Sequence, residues 1–375
     1  VQYTLTVTGF AQDVNQIKIK IPTGTLKDET KDADNNVYNN VNKDTELILY
    51  NCLELTSSES AQDSKFLDGD NETEIERQDI EKVIFVNSFD DVIDGAMPYI
   101  WSSEEKTWNI KSSIQKVWDV SAQGDDSILA WTTQTTAPYT VYIGSDYEIF
   151  ANQNSSYLFS YIGYSANCTD TDVVEGLNLL HTENVTNMSY MFNNFGYRKL
   201  ATLDLGAFDT SKVTNMQGMF NNCGRSEMTS LNLGTKFDTS KVTDMSNMFN
   251  SCGETKMQTL NLGTNFNTSE VTNMSGMFQG FAQNSSTMTT LDLGTTGITF
   301  STSKVTDMSN MFNGCLSSQI NLSNLNLSNI ASFNDMFTNC KNLTTIIMEN
   351  SDYKSINKII SVLPIKENNQ GVMYV

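Results

Sequence analysis

The chain has 375 residues, a formal net charge of −21 and a pI near 4.3. This length predicts about two or three domains, and so acidic a surface repels nucleic-acid phosphate and anionic membranes, which excludes both as expected partners. The sequence contains no run of about 18 apolar residues, so we expect no transmembrane helix.

The first 114 residues show apolar and polar positions that alternate over several short runs. Ile17, Ile19 and Ile21 alternate with lysines, and a similar run begins at Thr45. Such alternation predicts strands that are half buried against a core. We therefore assign residues 1–114 to an acidic β-rich domain of no recognisable family.

Two acidic loops of this domain begin as calcium-binding loops do. Asp32–Asn36 and Asp68–Glu72 carry carboxylate or amide side chains at alternate positions. Both lack the glycine at the sixth position and the glutamate at the twelfth position that a calcium loop uses. Solvated loops are the favoured interpretation, and calcium binding is the alternative.

Residues 115–165 are predicted to lead into the second half of the chain. Trp118 and Trp131 lie in two short β segments separated by the turn residues Gly124–Asp126, which predicts a hairpin. Its tryptophans can cover the open end of a stack of repeats, where apolar surface would otherwise face water. At the far end, the apolar helical run Ile356–Leu363 and the short strand Gly371–Val375 predict a second cap over residues 349–375.

Residues 166–348 consist of repeated units. Met-Phe pairs begin at Met191, Met219, Met248, Met277, Met311 and Met336, which gives spacings of 28, 29, 29, 34 and 25 residues. A regular period of this length is typical of a solenoid, in which each unit buries its apolar face only when its neighbours stack on it.

Each unit begins with a Leu-x-Leu tripeptide, which predicts a short strand. The tripeptides are Leu203/Leu205, Leu231/Leu233, Leu260/Leu262, Leu291/Leu293 and Leu325/Leu327, with a weaker version at Leu177/Leu179. From Val213 to Phe220 the apolar side chains then fall at offsets of 0, 3, 6 and 7, which is the spacing of one helix face. The predicted fold class is mixed β/α: a solenoid with a short strand plus a short helix in each repeat of about 28–29 residues, preceded by a β-rich N-terminal domain.

The Met-Phe pairs are interpreted as core, because methionine fills irregular gaps between stacked units. The predicted structural core is Met191, Phe192, Met219, Phe220, Met248, Phe249, Met277, Phe278, Met311, Phe312, Met336 and Phe337.

Four cysteines occupy one recurring position, three residues after the phenylalanine of Met-Phe. They are Cys223, Cys252, Cys315 and Cys340, and the same position holds Phe195 and Phe281 in two other units. A position that accepts cysteine or phenylalanine is apolar, so buried thiols are the simplest interpretation. A disulfide between Cys223 and Cys252 is the alternative, since adjacent strands lie about 5 Å apart. Zinc is not expected, because the chain has no Cys-x-x-Cys pair and its single histidine is His181.

The residues that flank the inward leucines should point away from the core. We call this set the strand-face ribbon, and we predict that it binds a ligand. The strand-face ribbon consists of Thr202, Asp204, Ser230, Asn232, Thr259, Asn261, Thr290, Asp292, Asn324 and Asn326. Small polar groups at strand spacing suit contact with a protein or a glycan. Ladders of such side chains also bond to one another between repeats, so a purely structural role is the alternative.

The sequence shows no catalytic constellation. It has one histidine, no Cys/His pair at nucleophile spacing and no glycine-rich phosphate loop. The carboxylate pairs Asp90/Asp91 and Asp125/Asp126 are interpreted as solvated loop charges in so acidic a chain. We therefore expect no enzyme activity, no cofactor and no metal.

One repeated phrase, Phe-Asp-Thr-Ser-Lys-Val-Thr-Asp-Met-Ser-Asn-Met-Phe-Asn at Phe237–Asn250, resembles the repeats of the BspA-like leucine-rich repeat surface proteins of bacteria. The lead-in from Trp118 to Phe159 is similar to the segment that often precedes those repeats. The resemblance covers about residues 115–375 and implies a leucine-rich-repeat-like solenoid.

The resemblance also implies a secreted or cell-surface bacterial protein that attaches to a protein or glycan of a host or a neighbouring cell. The alternative is a structural subunit of an extracellular filament or phage virion, in which copies of the chain assemble through the acidic N-terminal domain.

Overall fold

The computed structural model describes residues 17–21, 45–49, 65–67, 75–86, 99–102, 107–110, 113–122, 128–145, 148–294, 298–323, 325–363 and 372–374. The chain divides into two compact units, Val1–Asn51 and Cys52–Val375. Cys52, both calcium-like loops and both acidic pairs considered above lie outside the described residues.

The first unit contains two strands, β1 (Ile17–Ile21) and β2 (Thr45–Leu49). They pair antiparallel, with Ile17 opposite Leu49.

The second unit begins with a five-stranded mixed sheet. The strands up to the first repeat are β3 (Ile80–Val86), β4 (Tyr99–Ser102), β5 (Thr107–Ile110), β6 (Lys116–Asp119), β7 (Leu129–Thr132), β8 (Tyr139–Gly144), β9 (Ile149–Phe150), β10 (Val174–Glu175) and β11 (Leu180–His181). The sheet has the order β10-β3-β8-β7-β6, while β4 pairs with β5 and β9 pairs with β11. Strand β3 belongs to the stretch 1–114 yet pairs with β8 from the lead-in. The proposed domain division stays a prediction.

The repeats supply short parallel strands. These are β12 (Thr202–Asp204), β13 (Ser230–Asn232), β14 (Thr259–Asn261), β15 (Thr290–Asp292), β16 (Gln319–Asn321), β17 (Thr345–Ile347) and β18 (Val372–Tyr374). They form one sheet of three strands, β12-β13-β14, and one of four, β15-β16-β17-β18. Within the first sheet Leu203, Leu231 and Leu260 are in register.

Two of the predicted Leu-x-Leu strands are not strands. Leu177–Leu179 is a turn of 3-10 helix that follows Gly176, whose φ is 72°. Leu325/Leu327 lies outside the strands, and the fifth rung is Gln319–Asn321. Ile320-Asn-Leu322 therefore takes the place that the sequence analysis gave to Leu325-Asn-Leu327, because an isoleucine fills the inward position as well as a leucine does.

The predicted helix in each repeat is wrong. The residues from Val213 to Phe220 form successive turns, and so do the matching segments of the other repeats. The single α-helix of the described chain is α1 (Tyr353–Val362), which lies after the repeats. We call the segment from the Val-Thr word to the glycine or equivalent residue after Met-Phe the turn ribbon. The predicted fold class, a solenoid with one helix per repeat, is replaced by short strands and turns in several small sheets.

Hydrogen bonding explains why the turn ribbon is not helical. In an α-helix each N–H binds a carbonyl four residues earlier in the same segment. Here alternate N–H groups bind the next repeat instead: Gly218 N donates to Ser246 O (2.8 Å) and Phe220 N donates to Met248 O (2.8 Å). The intervening N–H groups close local turns, as Met219 N does with Met216 O (3.2 Å). A left-handed φ of 59° at Gly218 interrupts any right-handed helix.

The core runs along the inner side of the turn ribbons. All twelve Met and Phe residues of the predicted structural core are 0% exposed. Successive rings of Phe192, Phe220, Phe249, Phe278, Phe312 and Phe337 stack nearly parallel, with centroids 5.2–5.9 Å apart. Offset stacking at this distance is favourable beyond the area that it buries.

The glycines that follow the strands permit close contact between repeats. Gly234 and Gly263 have φ values of 77° and 76°. A Cβ atom at Gly263 would overlap the carbonyl oxygen of Gly234, which cannot move without breaking the backbone alignment. These positions therefore require glycine.

The first turn ribbon is capped by a buried arginine. Because each ribbon donates its N–H groups forward to the next repeat, the carbonyl groups of the first ribbon need other donors. Arg77 is 0% exposed and donates through Nη1 to the carbonyl oxygens of Tyr157 (2.8 Å) and Leu158 (2.9 Å). Burial lowers the pKa of Arg77 to about 10, so the guanidinium is still charged at neutral pH.

The helix α1 closes the other end of the repeats. Asp352 caps it, since its carboxylate accepts hydrogen bonds from the N–H groups of Lys354 and Ser355. Lys358 Nζ donates to Leu327 O (2.7 Å), which ties the helix to the last repeats.

Candidate binding surface

The strand-face ribbon lies on the outer side of the two repeat sheets. Thr202, Asp204, Thr259, Asn261, Thr290, Asp292 and Asn326 are exposed, and Ser230 and Asn232 are half buried. Asn324 lies outside the described residues. The inward neighbours Leu203, Leu231 and Leu291 are buried, so alternation along each strand separates a polar face from an apolar one.

Asn326 does not belong with the other members of this set. Its side-chain oxygen accepts from Ser328 N (2.9 Å), in a turn that follows the fifth rung. In that rung the outward positions are Gln319 and Asn321, which the sequence analysis missed. The signal was present, because Ile320-Asn-Leu322 follows Leu291-Asp-Leu293 after 29 residues.

Six members of the ribbon lie on one continuous sheet. We call Thr202, Asp204, Ser230, Asn232, Thr259 and Asn261 the proximal patch. Three in-register strands hold these side chains at fixed spacing.

Side chains of the proximal patch hydrogen-bond to one another between repeats. Asn261 Nδ2 donates to Asn232 Oδ1 (2.7 Å), and Asn232 Nδ2 donates to Asp204 Oδ1 (3.0 Å). Thr259 Oγ1 donates to Ser230 Oγ (3.0 Å). These bonds hold the side chains in place, and each amide still has a second N–H for an external partner.

A cleft of about 530 Å³ opens at the first edge of the proximal patch. Its walls include Asp172 and Glu175 on one side and Thr202 and Asp204 on the other. Asp172, Asp204 and Glu175 are exposed, and they are the charged groups among the residues that line the cleft.

One lysine beside the cleft neutralises part of this acidic charge. Lys82 Nζ lies 3.1 Å from Asp170 Oδ2 and 2.5 Å from Glu175 Oε1. Partial burial opposes its charging, but these two hydrogen bonds raise the pKa of Lys82 overall. Burial also opposes the charged form of Asp170, yet hydrogen bonds from Asp172 N–H and Lys82 lower the pKa of that carboxyl. Lys82 and Asp170 are therefore charged at neutral pH, while Asp172 has no ion-pair partner among the described residues.

A row of half-buried tyrosines on the turn ribbons was also missed. Tyr157 and Tyr190 stack with centroids 5.1 Å apart, and Tyr164 lies 5.0 Å from Tyr197. Tyr157 and Tyr190 have φ values of 61° and 56°, where later repeats place residues such as Gly218. The signal was a spacing of 33 residues in both tyrosine pairs, outside the Leu-x-Leu and Met-Phe words.

Arg225 extends this row into the following repeats. Its Nη1 donates to Tyr197 Oη (2.8 Å), and its guanidinium lies 5.5 Å from the centre of that ring. It also pairs with Glu254, and this hydrogen bond raises the pKa of Arg225 further.

The cysteines of the repeats are free thiols. Cys223 and Cys252 form no disulfide, and all five described cysteines are buried. Burial, with a smaller contribution from Cys223, raises the pKa of the Cys252 thiol well above its usual range. Burial likewise raises the pKa of the Cys168 thiol to about 11.

Within the described ranges, no group of three or more His, Cys, Asp and Glu side chains is arranged to hold a metal ion. His181 lies 3.6 Å from a carboxylate oxygen of Glu148 and 3.6 Å from one of Glu183. None of the helices in the described part of the chain has the length and apolarity needed to cross a membrane.

Two overlapping segments, residues 163–290 and 264–364, match the family described as "Mycoplasma protein of unknown function, DUF285". Together they span residues 163–364, which are 202 of the 375 residues and include every strand of the proximal patch. No curated protein and no solved structure matches the chain.

Proposed function

The chain belongs to the family described as Mycoplasma protein of unknown function, DUF285, and we propose that it is a non-catalytic interaction protein that binds a protein or a glycan through the strand-face ribbon. The proposal places it outside the cell or at the surface of a bacterium, as the resemblance of its repeats to BspA-like surface proteins implies.

The observation that supports this proposal is the proximal patch. Its polar side chains stand on three in-register strands above a fully buried core. A surface fixed in this way loses little conformational entropy when it binds, so more of the interaction energy is left for affinity.

The hydrogen bonds within the patch allow a second interpretation, in which the side chains serve stacking alone. Asn261 and Thr259 each donate one bond to the preceding repeat, but both are also exposed. Exposure leaves the remaining donors and acceptors of these side chains open to a ligand. The two interpretations differ in what a substitution on this face does to binding.

The test is a binding screen of the purified chain against extracellular matrix proteins and a glycan array. Any ligand found is then titrated against Thr259→Lys, which places a long cationic side chain on the proximal patch. Thr272→Lys is the matched control, because Thr272 is also an exposed threonine whose hydroxyl donates to the preceding repeat, to Thr243 O (3.1 Å), but on the turn ribbon.

We expect Thr259→Lys to weaken binding at least about tenfold, as loss of a central contact does, and Thr272→Lys to change it less than about twofold. Absence of any ligand, or equal effects of the two substitutions, would refute the proposal and leave the patch with a structural role.

A further inference from the structure

The row of parallel strands is interrupted just before the proximal patch. Strand β10 occupies the position that precedes β12, but it pairs with β3 of the five-stranded sheet. After β10 the chain turns at Gly176 and continues as the 3-10 helix Leu177–Leu179. A side chain at Gly176 would press on the carbonyl oxygen of Phe85, 2.5 Å from an added Cβ, so glycine lets this turn pack against β3.

Strand β12 consequently has a strand partner on one edge only. It ends the order β12-β13-β14. Ala201 N, just before the strand, donates to Thr171 O (3.3 Å), but no described strand pairs with this edge of β12. An edge strand with open N–H and C=O groups is a template for another strand.

The register shows which backbone groups are open. In a parallel pair, alternate residues of a strand turn their N–H and C=O groups toward the partner. Leu205 N donates to Asn232 O (2.8 Å), which places Leu203 and Leu205 on the side of β13. The N–H and C=O groups of Thr202 and Asp204 therefore face the opposite side, where the cleft lies.

The cleft has the size and charge to receive an extended chain. Its volume of about 530 Å³ lies in the range of pockets that enclose a ligand. The charged groups among its lining residues are the carboxylates of Asp172, Glu175 and Asp204, of which Lys82 pairs with Glu175 alone. The excess negative charge favours a partner with lysine or arginine side chains.

We infer that an extended basic segment of a partner protein adds a strand along β12 in this cleft. Its backbone pairs with the open groups of Thr202 and Asp204, and its cationic side chains contact Asp172 and Asp204. This is strand addition, in which main-chain hydrogen bonds supply affinity and side-chain contacts supply specificity. The inference rests on the proposed function and identifies a protein as the partner of the proximal patch.

The probe is a fluorescein-labelled peptide of alternating lysine and valine, measured by fluorescence anisotropy with the full chain at low and physiological salt. Two peptides serve as controls. One replaces lysine with glutamate, and the other keeps the lysines but carries methyl groups on alternate backbone nitrogens. The methylated peptide has the same charge, so it separates backbone pairing from general attraction to an acidic protein.

Two substitutions with matched controls locate the site. Asp172→Lys reverses one exposed carboxylate in the cleft, and Glu349→Lys makes the same charge change at an exposed residue after β17. Thr202→Pro removes the N–H group that faces the cleft while leaving the β13 side intact, a position where edge strands tolerate proline.

We expect the lysine peptide to bind and the glutamate peptide to fail. Backbone methylation, Asp172→Lys and Thr202→Pro should each weaken binding at least tenfold, and Glu349→Lys less than twofold. The inference is overturned if the lysine peptide does not bind, if methylation has no effect, or if Asp172→Lys and Glu349→Lys act equally. Asp172→Lys carries the test if Thr202→Pro does not fold.

The outcome can be told apart from failure of the proposed function. A ligand from the screen that is lost with Thr259→Lys but unaffected by Asp172→Lys supports the strand-face ribbon and overturns strand addition in the cleft. Binding of the lysine peptide that depends on Asp172, without any ligand for the ribbon, supports the cleft and refutes the broader proposal.

Discussion

The stack of phenylalanine rings predicts that the cost of removing a ring depends on its place in the row. Phe249 lies in the middle, between Phe220 at 5.4 Å and Phe278 at 5.2 Å, and it also contacts Phe281 edge-on at 6.4 Å. Phe337 lies at the end and stacks only on Phe312, at 5.5 Å, among the described residues. Both side chains are 0% exposed.

Equal burial means that the hydrophobic contribution is similar for the two residues. A buried Phe→Ala substitution costs about 3–5 kcal/mol, and we place Phe337→Ala near the lower value. Phe249→Ala removes two further ring contacts, each worth about 0.5–1.5 kcal/mol beyond area. Phe249→Ala should therefore destabilise the protein by about 1–3 kcal/mol more than Phe337→Ala.

Urea unfolding followed by circular dichroism measures both free energies, provided that the slope with urea concentration is unchanged. Phe249→Leu serves as a control, since it keeps a large apolar side chain and should lose less than Phe249→Ala does. If Phe249→Ala and Phe337→Ala differ by less than about 0.5 kcal/mol, the usual error of such comparisons, ring stacking between repeats does not contribute as argued.

Three further predictions concern the repeats. Gly263→Ala should cost at least about 2 kcal/mol, because it forces alanine into the left-handed region against a backbone carbonyl, whereas Gly206→Ala should cost under about 1 kcal/mol, since Gly206 lies outside that region; similar unfolding midpoints would contradict this. Arg225→Ala should cost about 1–3 kcal/mol by leaving the mostly buried Glu254 without its cation, and Lys256→Ala, in an exposed pair, less than about 1 kcal/mol; double-mutant cycles check both. The five described cysteines should resist iodoacetamide at about pH 8 and react only after unfolding, because the thiols are buried and a raised pKa withholds the reactive thiolate. Since the unfolded thiols lose protons first, the free energy of unfolding should fall as the pH rises above about 9, and a flat pH titration would argue against these shifts. The five are Cys168, Cys223, Cys252, Cys315 and Cys340.

The sequence pattern reveals which residues recur more clearly than it reveals their backbone conformation. Val213, Met216, Met219 and Phe220 have helical offsets, yet they lie in turns. Side-chain spacing cannot distinguish the two, because a series of turns with alternate left-handed residues also returns an apolar side chain to the core every third or fourth residue. The left-handed residues were the missed signal, since glycine or asparagine stands at Gly218 and Asn222.

The site shows the same division. The outward positions of β12, β13 and β14 can be read from Leu-x-Leu, because strand alternation is a local rule. The rung at Gln319–Asn321 was missed because two similar tripeptides lie close together there, and only pairing with β15 and β17 distinguishes them. The cleft beside Asp172 has no local signature, since it exists because β10 pairs with β3, a strand about 90 residues earlier in the chain.

The amino-acid sequence by itself determined the repeat length, the side chains that recur in each unit and the acidic character of the chain, because these follow from residue order and composition. The tertiary structure decided that the turn ribbons donate alternate N–H groups to the next repeat, and that the strands divide into separate sheets with an open edge at β12. The physical reason is that a backbone N–H can bind within its own segment or across to a neighbour, and that choice depends on which neighbour is present.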